Sequence, residues 1–443
     1  MAHLTVNSGY KALVERLNRA PQGAPPSKVL YKILKILFSE KEAELVAVLP
    51  IIPFTVEKAA ARWKTGQKSA QKVLDGLASR AILLDAELQG KTWYVLPAPM
   101  AGFFEFSMVR VSENVDQKTL AELYYQYLNV EEDFLRELFT DGETQLGRVF
   151  VNETTLSKET VAVVLDYERA SAIIETSPQI GIGLCYCRHK MQHMGRDCNA
   201  PKDICIFLNL TAASLIRHGL VRQVDIREGL DLLQLAREQN LVQFGDNVRE
   251  RVNFICNCCG CCCEAMLAAR RFAIEHPIHT TNFVAGNEQE NCAGCGKCVE
   301  VCPIEAVALV SANDPDQAKR KKAVVDEAIC LGCGVCARVC PSKAMVLKPR
   351  KERVITPLAW GHRMILMAIE RGKLQDMIFD NRLMWSHRAL ATVLGVILRL
   401  PPAKQLMASK QIKSRYLEAT IQKIRSRQET KLLNPPRGNV QKH

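Results

Sequence analysis

Two stretches, CAGCGKCVEVCP at residues 292–303 and CLGCGVCARVCP at 330–341, share one spacing, Cys-x2-Cys-x2-Cys-x3-Cys-Pro. The spacing constrains the chain severely. A cubane iron–sulfur cluster needs four thiolates converging on the corners of one small tetrahedral core, and a tight loop with thiols at intervals of three residues supplies three of them. Gly294, Gly296, Gly332 and Gly334 permit the backbone angles such a loop needs and let N–H groups approach the sulfurs. Cys-x2-Cys pairs also suit zinc. The duplication, and the proline after each fourth cysteine, make zinc the weaker alternative.

Two such motifs in tandem resemble the bacterial dicluster ferredoxins over about residues 288–346. By that resemblance one [4Fe–4S] cluster takes Cys292, Cys295, Cys298 and Cys340, and a second takes Cys330, Cys333, Cys336 and Cys302. Each fourth cysteine is expected to open the following helix and point toward the other cluster. The intervening SANDPDQAKRKKAVV (311–325) is longer and more polar than in compact ferredoxins and reads as a surface loop. Such a module shuttles single electrons and binds no substrate.

Ten further cysteines fall in two groups. GLCYCRHKMQHMGRDCNAPKDIC supplies Cys185, Cys187, Cys198 and Cys205, and CNCCGCCC supplies Cys256, Cys258, Cys259, Cys261, Cys262 and Cys263. Thiols this dense would cross-oxidise if free, and immediate neighbours cannot pair comfortably as disulfides. They exceed what one cubane needs. The pattern therefore points to an additional metallocentre, an iron–sulfur cluster before zinc, to which both groups contribute. A cubane beside a reactive thiol pair is the alternative, and an inert apolar strip is the bland one. Arg188, Lys190, Arg196 and Lys202 surround the first group, where positive charge would stabilise thiolates. His189 and His193, four apart on a helix, are either further ligands or surface residues.

All 18 cysteines lie between Cys185 and Cys340. MAHLTVNSGYKALVERLNRA has neither the apolar core nor the cleavage site of a secretory leader, so a reducing cytosol and metal ligation are expected rather than disulfides. Charge is uneven: +6 over residues 1–100, +14 over 348–443, and −8 between them. A basic end suits an acidic protein, a membrane surface or nucleic acid.

Four regions are expected, in a multidomain α+β chain. Over residues 1–100, SKVLYKILKILFSEKEAELVAVLP reads as a helix with Leu30, Ile33, Leu34 and Leu37 on one face. Two short helices follow, the first N-capped by Thr55, then a hairpin around Gln89-Gly90. This order resembles a winged helix-turn-helix, which would put Lys68, Lys72 and Arg80 on or near a recognition helix and Lys91 in the wing. A packing or protein-interaction module is the commoner use of that order. Residues 101–287 form the mixed central region with both cysteine groups. Phe103, Phe104 and Phe106 read as core, LAELYYQYLNVEEDFLRELF as a helix, and LTAASLIRHGL and GLDLLQLAREQNLVQF as helices that draw the cysteine groups together. The dicluster module occupies 288–346 and a basic helical tail 347–443. In the tail ALATVLGVILRL is too short to span a bilayer, which takes ~20 residues. Ile412, Tyr416, Leu417, Ile421 and Ile424 share one side of a last, basic helix suited to packing, to an acidic partner or to a membrane surface.

GIGLCYC has Gly181-x-Gly183 but lacks the third glycine of a dinucleotide loop, and no Gly-Lys-Ser/Thr phosphate loop is present. Any catalysis would rest on metal, with Cys258, Cys259 or Cys261–Cys263 as reactive thiols. Taken whole, the chain resembles a family of 4Fe–4S-binding proteins from anaerobes, which implies an oxygen-poor cytosol. The expected function is low-potential electron transfer to or from a redox enzyme. A metalloenzyme acting at the extra centre and a redox-responsive DNA-binding regulator are the alternatives.

Overall fold

The computed structural model describes residues 8–113, 115–156, 164–314, 319–381, 388–392 and 395, and they form a mixed helix-and-sheet protein. Leu30, Ile33, Leu34 and Leu37 are buried on one face of helix Lys28–Leu37, as their spacing dictates. The helix does not run on to Pro50. Ser39 turns extended and accepts from the Glu42 N–H while the Glu42 carboxylate takes the Ser39 N–H, so a capping box starts a separate helix, Glu40–Ala47. Strand β1 (Phe54–Thr55), helices Val56–Trp63 and Gln67–Ala78, and strands β2 (Leu84–Leu88) and β3 (Lys91–Val95) follow, in a sheet ordered β1-β3-β2. The hairpin turns at Gln89 and Gly90, both at positive φ.

Phe103, Phe104 and Phe106 are core, with Phe104 4.9 Å from the Tyr124 ring. The long helix expected after them is broken. Helix Gln117–Tyr125 loosens into a π turn at Gln126–Val130, and a new helix, Asp133–Thr140, begins after Glu132 at positive φ.

The central region is a six-stranded sheet of β4 (Gly147–Val149), β5 (Ile180–Leu184), β6 (Asp203–Leu208), β7 (Arg222–Gln223), β8 (Val242–Asp246) and β9 (Phe254–Cys258). Its order is β4-β8-β9-β6-β5-β7, and every neighbouring pair is antiparallel. Gly181 and Gly183 lie inside β5, where a Cβ on Gly181 would meet Val221 at 2.7 Å, so they make room for packing rather than for a phosphate. GLDLLQLAREQNLVQF is a helix only to Glu238 and then enters β8. The two cysteine groups meet through the pairing of β6 with β9, not through the intervening helices.

The module beyond is a duplicated unit. β10 (Phe283–Asn287) and β11 (Val307–Ser311) recur, 38 positions on, as β12 (Lys321–Val325) and β13 (Met345–Pro349). The copies exchange strands, since β10 pairs with β13 and β11 with β12. The segment expected as one surface loop is thus partly strand, since it contains the end of β11 at Ser311 and the whole of β12. Helices Lys297–Glu300 and Val335–Val339 start from Gly296 and Gly334, both left-handed. Cys302 and Cys340 follow these helices rather than opening new ones, and the third cysteines, Cys298 and Cys336, are the helical ones.

The first part of the basic tail, helices Trp360–Glu370 and Leu374–Ile378, clasps the body. Arg363 pairs with Asp246, Arg371 donates to the carbonyls of Pro21, Leu138 and Asp141, and Asp380 pairs with Arg62. Most of ALATVLGVILRL, and the expected last helix with Ile412, Tyr416, Leu417, Ile421 and Ile424, lie outside the described residues. Among the described residues no helix is long and apolar enough to cross a membrane.

Gly294 and Gly332 occupy equivalent positive-φ corners, and a Cβ would fall on the Lys321 carbonyl in one copy and the Phe283 carbonyl in the other. Gly332→Ala combines a left-handed residue with a backbone clash, at about 1–2 kcal/mol for the first and more for the second. Its expected outcome is a chain with a lower melting temperature and reduced iron content, read by thermal unfolding and iron assay.

Candidate metal centres

The duplicated unit places its eight cysteines in two sets. Cys292, Cys295, Cys298 and Cys340 line one small pocket, together with Leu309 and Met345. Cys302 lies in electrostatic contact with Cys330, Cys333 and Cys336. Each set thus draws three cysteines from one copy and the last from the other, as strand exchange requires. Backbone N–H groups turn onto sulfur here: Ala306 onto Cys302 at 3.2 Å and Gly332 onto Cys330 at 3.4 Å.

The two sets differ in exposure. Cys295 is open to solvent, whereas Cys330 and Cys336 are buried. Burial pushes the Cys333 thiol up to about 12 and raises Cys336 and Cys302 as well. At Cys292 and Cys340 burial acts the same way but is outweighed by backbone N–H donors, and both thiols are lowered. The inner set faces the central sheet. The Asn152 N–H bonds the Cys333 carbonyl at 3.2 Å, and a Cβ on Gly334 would meet Thr155 at 2.7 Å.

The other ten thiols come together beside the central sheet but as two constellations. Cys256 and Cys258 alternate on β9, and the register that pairs Ile206 with Ile255 sets Cys205 of β6 opposite Cys256. Cys185 N-caps helix Tyr186–His193, Cys187 lies in its first turn, and Cys263 N-caps helix Glu264–Phe272. These six close a ring in the order 185, 187, 263, 258, 256, 205, with each side chain interacting with the next. Around the ring the thiols alternate. Cys185 and Cys263 are well lowered and Cys256 falls to about 6, because each accepts from two neighbours; Cys187, Cys258 and Cys205 are raised. The remaining four, Cys198, Cys259, Cys261 and Cys262, bring their sulfurs within 4.8 Å of one another.

Of the four cations expected around these thiols, one serves them. Arg188 and Lys190 are both 0 % exposed. Arg188 donates to the carbonyls of Pro201 and Asn257 at 3.0 and 2.9 Å, which aims it between the two constellations. Burial opposes its charge, but Cys185, Cys259 and Cys258 and a hydrogen bond with Cys198 outweigh that and hold it protonated. Lys190 is instead paired with Glu264 and bonded to Asn129 at 2.6 Å. Lys202 pairs with Asp197, and Arg196 donates to the Tyr125 hydroxyl. His189 bonds the Met108 carbonyl at 2.8 Å and meets His193 at 3.2 Å, so the imidazoles engage each other.

Two residues carried no signal in the sequence. The Glu105 carboxylate takes the N–H groups of Ala101 and Gly102 and lies close enough to Cys256 to feel its charge; burial, first, and Cys256 push it up to about 8. The buried Tyr186 hydroxyl, near Cys187, has no hydrogen-bond partner among the described residues. Only the fold brings Glu105 to β9, so spacing could not reveal it.

The thiol-rich turn also touches the duplicated unit. A Cβ on Gly260 would meet the Pro303 carbonyl at 2.6 Å, and Arg270 clamps the contact by bonding both the Gly260 carbonyl and Glu305. Pro303 follows Cys302 of the inner set directly.

Residues 291–344 match the family model of the 4Fe-4S dicluster domain. No curated protein matches the chain. The duplicated unit is therefore an iron–sulfur module, and the protein is an iron–sulfur protein whose module carries the chemistry of electron transfer.

Glu264→Gln leaves Lys190 buried and uncompensated, and breaking such a pair costs about 3–5 kcal/mol. A corresponding fall in the denaturant midpoint is expected, with the pair lying between the helices that present Cys187 and Cys263. An unchanged midpoint would show that Asn129 suffices.

Proposed function

We propose that the chain holds two [4Fe–4S] clusters, on Cys292, Cys295, Cys298 and Cys340 and on Cys330, Cys333, Cys336 and Cys302, and conducts low-potential electrons between a partner redox protein and a further metallocentre on the ten central thiols. The observation that carries this reading is the seat of Gly260 against Pro303. It puts the CNCCGCCC turn next to the inner cluster's Cys302, while the outer set, with Cys295 in solvent, faces an incoming partner. Electrons would enter at the outer cluster, cross to the inner one and reach the central thiols. A reducing, oxygen-poor cytosol suits them, with the basic tail meeting an acidic partner or a membrane surface.

Glu105 and Tyr186 beside the six-thiol ring favour a second reading of the same centre as catalytic, with the module as its internal supply. The element order of residues 54–95, with β3 between β1 and β2, favours a winged helix. Lys68, Lys72 and Lys91 are exposed on it, but Arg80 is tied to Glu42 and the Leu37 carbonyl, so the cationic face for DNA is thin. Sequence-specific binding that depends on cluster oxidation and is lost in Lys68/Lys72 variants would establish a regulator.

Iron and acid-labile sulfide are expected to exceed the roughly eight of each that two cubanes supply. Eight irons with no other metal would reduce the protein to its ferredoxin module. Gly260→Ala is expected to leave the ferredoxin paramagnetic signals intact while slowing reduction of the central centre severalfold in a rapid-mixing experiment.

A further inference from the structure

We propose that Cys198, Cys259, Cys261 and Cys262 hold a single tetrahedrally coordinated metal ion, separate from the six-thiol ring, and that this ion fixes the turn that docks on the iron–sulfur module. The inference rests on reading the ten central thiols as ligands and divides them between two sites of different chemistry.

The size of the site decides its nuclearity. Zinc–thiolate bonds are about 2.3 Å long, so four sulfurs around one ion stand about 3.8 Å apart. Cys198 and Cys259 have sulfurs 3.7 Å apart, as do Cys261 and Cys262, and all four lie within 4.8 Å of one another. Four thiolates on the separate irons of a cubane must span the iron core as well and stand wider. The central four are drawn too tightly for a cubane, yet suit one ion.

Charge agrees. Four thiolates on a dication leave a net charge of about −2, which a poorly hydrated site must balance. Arg188 is fully buried beside Cys198 and Cys259, and its Nε has no hydrogen-bond partner among the described residues. Four soft sulfurs in a tetrahedron select zinc or iron(II). Because the set is closed, with no fifth protein ligand or open corner required, the ion is structural.

Its position gives the role. Three ligands flank Gly260 in the turn 259–262, and the fourth, Cys198, comes from the segment leading to β6. The ion would therefore pin the turn to the central region just where Gly260 presses on Pro303. Cys261 is exposed, so the site is open to chelators from one side.

The test is zinc, iron and acid-labile sulfide per chain on anaerobically purified full-length protein, wild type against the double variant Cys198→Ser/Cys261→Ser. Loss of about one metal atom with sulfide unchanged is the expected result. Loss of about four irons together with their sulfide would overturn it. Should the variant not fold, the wild type decides. Zinc with four sulfur neighbours at about 2.3 Å by X-ray absorption supports the site, as does one iron in excess of sulfide. Absence of zinc with iron equal to sulfide overturns it. A wild type with only about eight irons, eight sulfides and no zinc would sink the whole extra centre, whereas sulfide lost in the variant sinks this inference alone.

Discussion

Negative charge concentrated on sulfur is what this fold must contain. Eighteen cysteines within residues 185–340 would repel one another as thiolates and oxidise as free thiols. The chain separates them into sets and gives each set its own compensation. In the duplicated unit the compensation is backbone N–H, aimed by glycines in the left-handed region. In the central region it is the buried Arg188 and the alternation of donor and acceptor around the six-thiol ring. Elsewhere the interior charges are kept away from the sulfurs, as Lys190 is by Glu264 and Asn129.

Strand exchange gives the module its geometry. Because β10 pairs with β13 and β11 with β12, the end of each copy lies beside the start of the other, and the fourth cysteine of each copy arrives among the first three of its counterpart. The two sets are thereby held close and oriented oppositely, one toward solvent at Cys295 and one toward the central sheet at Cys333. The clasp of the tail, through Arg363, Arg371 and Lys373, joins the N-terminal helices to the same body. The hydrophobic core runs without a break from Tyr10 through the Phe104 cluster to Leu347. The sequence regions are thus parts of one packed structure, and a change at Gly260 is felt by the module without an intervening linker.

Much was legible because the determinants are local. A Cys-x2-Cys-x2-Cys-x3-Cys-Pro loop repeats its chemistry within a dozen residues, and the glycine positions follow from the turn it must make. Helix Lys28–Leu37 and the Gln89-Gly90 hairpin are likewise short-range, set by apolar spacing and turn residues. Helix lengths are less legible. Ser39 and Glu132 interrupt helices whose apolar patterns run on, since a capping box or a positive-φ residue outweighs continuing periodicity. The strand β12 was hidden in a polar segment, because its pairing partner β11 supplies the order that its own composition does not.

By itself the sequence determined that the chain carries an iron–sulfur module in a duplicated loop and sets ten more thiols in two dense groups. Only the tertiary structure decided how those ten divide. Alternation on β9 sends Cys256 and Cys258 to the ring, the turn that follows sends Cys259, Cys261 and Cys262 to the four-sulfur site, and the next helix returns Cys263 to the ring. Adjacent residues point in different directions on a strand, a turn and a helix start, and no spacing rule states where one gives way to the next. Glu105 and the Gly260–Pro303 contact are invisible for the same reason: both join residues that only long-range packing brings together.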